Sequence, residues 1–409
     1  MRDAKNAPSP NPAAAATPVK TDGTAAAADE AEIRENPYYA RVSARLRRTK
    51  YLFVLLTVAT ALLFLFAYRT NITYENLRYL LRDVDEAGNA GRAADSFAYT
   101  AADTNFLLPF RGDLAVCSSA GVTLYRAAGG RSFEDARRHD APVAEASDKY
   151  MVVYDIGGTS YALYNSISRV FDGETDGPIY DCAVANGGGS AVLTRAATGG
   201  FCIRTYSKNF NLTGEITRSG YVSDIGYLDD GRLYICEVQV TGASLVTAMS
   251  LYTPGRDALD CTVTADGFAY RAGSLGDGFY LLTASALYFF DKGGEKTFST
   301  SFATSEVLLA DGTADGVAVY VDENVSGADC AVYAFFADGT SLSAPAPRGA
   351  RSLLLDGRQV CLLFEESLTV YDGSAVRQTS TDPGGRQLLR LGDAVLVCYD
   401  DRAERAALH

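Results

Sequence analysis

The sequence predicts an all-β protein: a β-propeller of eight four-stranded blades, with seven as the alternative, preceded by one transmembrane helix and a disordered N-terminal tail. Three observations carry this. An apolar strand recurs about every forty residues, one 18-residue stretch holds no charge, and the first 36 residues contain almost no large apolar side chains.

The tail comes first. Residues 1–36 hold eleven alanines and prolines at 8, 10, 12 and 18. Such a segment cannot bury enough surface to offset its ordering entropy, and the prolines interrupt any helix. Residues 1–40 are therefore expected as a disordered cytoplasmic tail.

Tyr51–Tyr68 (YLFVLLTVATALLFLFAY) contains no charge, glycine or proline. At helical rise it spans roughly 27 Å, close to the thickness of a hydrocarbon core. A core helix of a soluble protein rarely stays apolar on every face for five turns. The basic juxtamembrane segment 41–50 carries Arg41, Arg45, Arg47, Arg48 and Lys50, whereas the far side mixes both signs. The positive-inside rule then puts the N-terminus in the cytoplasm and everything after residue 69 outside a cell membrane crossed once. Residues 1–50 hold 9 basic and 6 acidic groups, which leaves a net −16 on the exported part. An acidic surface excludes nucleic acid as a partner and favours cationic or basic ones.

Thr73–Glu86 places Tyr74, Leu77, Leu81 and Val84 at the spacing of one helix face, so 69–94 reads as a stalk helix and linker. Beyond it the period changes to two. Apolar strands begin at 114, 150, 191, 233, 279, 317, 360 and 394, several after Asp/Gly turns such as Asp229-Asp-Gly231 and Gly276-Asp-Gly278. Each of the first seven is followed by a second strand ending in an aromatic residue, as in Val122–Gly130 and Leu287–Gly294. Turn and strand alternating at this period describe propeller blades over 95–401. The eighth repeat is incomplete, because only ten residues follow Tyr399. Ser96–Thr100, with Phe97 and Tyr99 alternating, is the expected strand that closes the ring.

The basic-ended tail, the apolar helix, the segment ENLRYLLRDVDE (75–86) and the DLAV and TLY-type repeats resemble an uncharacterised clostridial family of single-pass, membrane-anchored β-propellers. The resemblance implies anchoring and fold. It hands over no catalytic residue.

The chemistry-bearing residues are sparse. There are 2 histidines, His139 in a charged stretch and His409 at the terminus, and none of the eight cysteines forms a C-x-x-C. Cys117, Cys236, Cys361 and Cys398 fall in apolar inner strands, where a thiol behaves as a small hydrophobe. Asp322-x-Asn324-x-Ser326 opens like a calcium loop, yet Tyr333 stands where its last carboxylate belongs. No hydrolase, protease, phosphate-loop or zinc motif is present, so no cofactor, metal or catalytic residue is expected.

One constellation remains. Glu145, Asp181, Asp224, Arg271 and Arg390 occupy matching places before the turns of their blades, so a ring would gather them on its central channel. They could bind a cation, sugar or basic peptide there, or merely bond neighbouring backbone amides. The leading expectation is a non-catalytic binding or scaffold module at the cell envelope, with envelope proteins or a cationic ligand as partner. The alternatives are a lyase or glycosidase using channel carboxylates, and a ligand sensor signalling through the helix.

Overall fold

A computed structural model describes residues 37–67, 94–100, 106–197, 199–255, 258–302, 306–323, 330–373 and 375–406. It divides into two compact units, 1–89 and 90–409. The tail 1–36, the stalk 69–93 and most of the calcium-like loop lie outside the described residues.

In the first unit a helix runs Pro37–Ala67, so the basic segment 41–50 is helical too, and its charged side chains are exposed. Among the described residues no helix is long and apolar enough to cross a membrane. The segment Tyr51–Tyr68 expected to cross a membrane lies within this helix as far as Ala67. The side chains of Leu65 and Ala67, and all of Tyr68, fall outside the described set.

The second unit consists of eight four-stranded antiparallel sheets. The first strand of each is the innermost: Phe106–Phe110, Pro142–Ala146, Ile179–Val184, Tyr221–Tyr227, Ala269–Leu275, Glu306–Thr313, Ser352–Asp356 and Gln387–Leu391. Each lies beside the next, and the last beside the first, so the ring is closed. The chain is an eight-bladed β-propeller.

Eight apolar clusters make up the core, one for each pair of neighbouring blades. This decides eight over seven: every blade has an apolar face on both sides and uses both. The recurring apolar strands prove to be second strands rather than inner ones. Met151–Asp155 and Ala394–Cys398 are buried at every position, because a sheet covers each face and a strand covers each edge. The outermost strands reverse this; Lys296–Ser301 is exposed almost throughout. The four cysteines Cys117, Cys236, Cys361 and Cys398 sit in second strands, and all eight cysteines are free thiols. Burial pushes Cys117, Cys361 and Cys398 up to about 12, so these thiols are unreactive.

The last blade is completed as expected by the N-terminal strand, with one difference. Ser96–Ala98 pairs with Arg402–Arg405, which the short C-terminal remainder still supplies, and not with Ala394–Cys398. Ser96–Ala98 is thus the outermost strand of this sheet and covers the edge that Arg402–Arg405 would otherwise leave open.

A candidate binding channel

The inner strands carry all five residues singled out from the sequence. In blades 3 to 6 the strand is bulged just before its key residue: the register shifts between Ile179 and Asp181, Val222 and Asp224, Ala269 and Arg271, and Val307 and Leu309. A bulge adds one residue to one strand only and re-aims the side chains beside it.

Asp181 joins three blades. Its carboxylate accepts the Tyr154 hydroxyl of blade 2 at 3.0 Å, the Cys182 amide of its own strand at 2.9 Å and the Ile225 amide of blade 4 at 3.3 Å. Burial outweighs these donors and raises the group to about 6. Asp224 is pushed up to about 7, by burial first and then by the charge of Asp181, against the pull of Tyr234 and Arg271. Burial, then the charges of Asp181 and Asp224, hold the Glu145 carboxyl well above the usual range, while the Val184 backbone opposes the rise. All three residues are half-buried. The ring therefore does bring Glu145, Asp181 and Asp224 together electrostatically, with Arg271 next to them.

Arg271 and Arg390 are occupied otherwise. Arg271 Nη2 lies 3.2 Å from Asp311, and its Nη1 donates to the Ala310 carbonyl at 3.2 Å. Arg390 pairs with Asp356 at 2.6 Å and donates to the Gly392 carbonyl at 3.2 Å, on the opposite flank of the ring. A cavity of about 730 Å³ opens on that flank, walled by Arg271, Asp311, Arg351, Arg390 and the apolar strand Phe106–Pro109. The two flanks thus differ: blades 2 to 4 gather carboxyls, whereas the arginines of blades 5 and 8 are each matched by an aspartate of the neighbouring blade.

Sequence reasoning missed Asp311. It repeats the role of Asp181, pairing with Arg271 of the previous blade and accepting the Leu355 amide of the next at 3.0 Å. Its Asp311-Gly312 setting reads as a turn, whereas it lies inside the strand Glu306–Thr313. Ser352 makes a third such link, accepting the Leu388 amide at 3.0 Å. The burial of His139 was not foreseen either. The residue is buried at 3% exposure, 3.4 Å from Asp155, and neither ring nitrogen has a hydrogen-bond partner. Burial holds its pKa below the ordinary value.

Residues 92–263 match the family of unknown function DUF5711. That DUF5711 match covers the closing strand and blades 1 to 4. No curated protein shows significant sequence similarity to the chain. Solved propellers share its fold. BamB from Moraxella catarrhalis aligns at TM-score 0.51 and 13% identity over 77% of this chain and 98% of its own. Sqt1 from Saccharomyces cerevisiae aligns at TM-score 0.54 and 7% identity over 77% and 98%. At these identities the likeness concerns the fold alone.

Proposed function

We propose that this protein is a membrane-anchored, extracytoplasmic β-propeller that serves as a non-catalytic binding module at the cell envelope, taking a cationic ligand or a basic partner at its channel. The observation that carries the reading is the convergence of Glu145, Asp181 and Asp224 from three blades on one side of the ring. Asp181 has its oxygens engaged by three donors and positions the wall; Glu145, held by the Val184 backbone, and Asp224, held by Tyr234 and the Ile225 backbone, have fewer donors and are the groups to meet a ligand. Raised carboxyls favour a cation, whose arrival would restore their charge.

Anchoring is supported by the helix. Leu52, Phe53 and Leu63 are 65%, 71% and 72% exposed, a run of bare apolar surface that water disfavours. Five basic residues flank it on one side.

The test captures partners from the organism's own envelope fraction with the purified full chain, beside a Glu145→Gln/Asp224→Asn variant. The reading expects a captured set that shrinks with salt and is lost in the variant. An unchanged set at high salt would remove the channel from consideration. Protease added to intact, wall-stripped cells should degrade the propeller and spare the tail.

A further inference from the structure

Each inner strand begins at the same end of the channel, the end at which second and third strands also turn back on each other. Six large apolar side chains of blades 3 to 6 are exposed there: Tyr180, Tyr221, Val240, Leu245, Tyr270 and Leu308. Three of them, Tyr180, Tyr270 and Leu308, are the extra residues of the bulges, which is why they stand clear of their ladders.

Blade 4 goes further. Its second and third strands run 9 and 10 residues, Leu233–Thr241 and Ser244–Thr253, against 5 or 6 in most blades. The first strand stops pairing at Tyr221↔Val238 and the fourth at Val246↔Asp266, with one further bond from the Gly267 amide to the Leu245 carbonyl at 2.8 Å, so the ribbon from Gln239 to Ser244 projects past both neighbours. Val240 lies opposite Leu245 on one face of the ribbon, 76% and 40% exposed. The edge of Gln239–Thr241 turned away from the third strand has no ladder neighbour among the described residues. Natural edges are usually blunted by charge or proline, and Val238–Val246 contains neither.

The tip continues into a rail of rings. Tyr221, paired with Val238 at the ribbon's base, meets Phe201 edge-on at 5.6 Å, and Phe201 meets Tyr180 at 5.3 Å. Glu174, Asp266 and Glu306 are exposed on the connections at this end, against Arg195.

We propose that the projecting ribbon of blade 4, with the Tyr221–Phe201–Tyr180 rail, is a strand-addition site for an extended segment of a partner protein that alternates apolar and basic residues. Backbone amides of the segment would complete the open edge; alternate side chains would lie on Val240 and the tyrosines, and the basic ones would face the acidic connections. The acidic surroundings disfavour an anionic lipid surface as the occupant. The inference rests on the binding-module reading but uses none of the channel carboxylates.

The experiment titrates the purified full chain with a short fluorescein-labelled peptide of alternating lysine and valine, read by anisotropy. Two control peptides carry glutamate for lysine, or methyl groups on alternate backbone nitrogens. Binding should be saturable, and at least tenfold weaker for either control. Val240→Asp/Leu245→Asp should weaken it at least tenfold without shifting the melting temperature, since both side chains are exposed. Tyr180→Ser should weaken it severalfold. No saturation below about 1 mM, or equal binding by the methylated peptide, overturns the proposal. So does loss of peptide binding in Asp224→Asn with retention in the ribbon variant, which would leave the channel reading standing alone. Vesicles of phosphatidylglycerol and phosphatidylethanolamine form the last arm. Their capture through Val240 and Leu245, without peptide binding, would make the ribbon a lipid contact and overturn strand addition.

Discussion

The Tyr99 hydroxyl lies 2.7 Å from the carbonyl oxygen of Tyr399, 300 residues away, and 2.7 Å from that of Arg402. One proton is shared between two acceptors at the seam where the chain's ends meet. Burial, helped by nearby acidic groups, keeps the phenol protonated, so it remains a donor at every physiological pH.

Tyr99→Phe keeps the ring and removes the donor. It should cost about 1–2 kcal/mol in denaturant unfolding, the magnitude of a buried hydrogen bond lost with an acceptor left behind. Deleting Ser96–Thr100 should be far worse. It bares the edge of Arg402–Arg405 and should give aggregation on size-exclusion chromatography. A monomeric, equally stable deletion would show that the seam is dispensable.

Asp311→Ala should destabilise the ring by roughly 1–2 kcal/mol, chiefly because it strands the Leu355 amide; the exposed Arg271 loses its partner as well but can turn to water. A double-mutant cycle with Arg271→Ala should show coupling, the Arg271 effect being smaller once Asp311 is gone. Additive effects would mean that the two residues act separately.

Gly312 lies where an added Cβ would come within 2.1 Å of the Tyr280 hydroxyl and 2.8 Å of its ring carbon. Tyr280 is 2% exposed between blades 5 and 6 and cannot swing away. Gly312→Ala should therefore cost about 1–3 kcal/mol, and Tyr280→Phe in the same chain should recover part of it. Melting curves of the three variants decide this.

Stability should carry a particular pH signature. The Asp181 and Asp224 carboxyls are raised to about 6 and 7, above their unfolded values near 4, and Glu145 is raised as well. The folded state then binds more protons, so their contribution is full below about pH 4 and is lost as pH rises toward 7. His139, held low, has the opposite sign, and its contribution disappears as pH falls through the acid range. Asp181→Asn/Asp224→Asn should flatten the loss between pH 5 and 7, and His139→Gln should flatten the acid limb. Parallel curves for wild type and the aspartate variant would refute the shared buried charge.

Much of the architecture was legible in the chain. The forty-residue recurrence fixes a blade because two-residue alternation and Asp/Gly turns are local properties, set by backbone sterics and the pleat. The closing role of Ser96–Thr100 was legible for the same reason, since an incomplete last repeat needs a strand from somewhere. Glu145, Asp181 and Asp224 could be placed on one channel because a ring converts equal repeat positions into neighbours. What the sequence could not decide was who bonds to whom across blades. Whether Asp181 is a clasp or a ligand depends on Tyr154 and Ile225, which lie 27 and 44 residues away, and only the angle between adjacent sheets sets those distances. Asp311 was missed and the burial of His139 was not foreseen for that reason: a turn-like dipeptide was drawn into an inner strand, and a histidine from a charged stretch was carried inside. The exposed face of blade 4 was likewise invisible, because Val240 and Leu245 alternate like any buried strand. Only the register, which ends the flanking strands at Tyr221 and Asp266, leaves those two side chains in water.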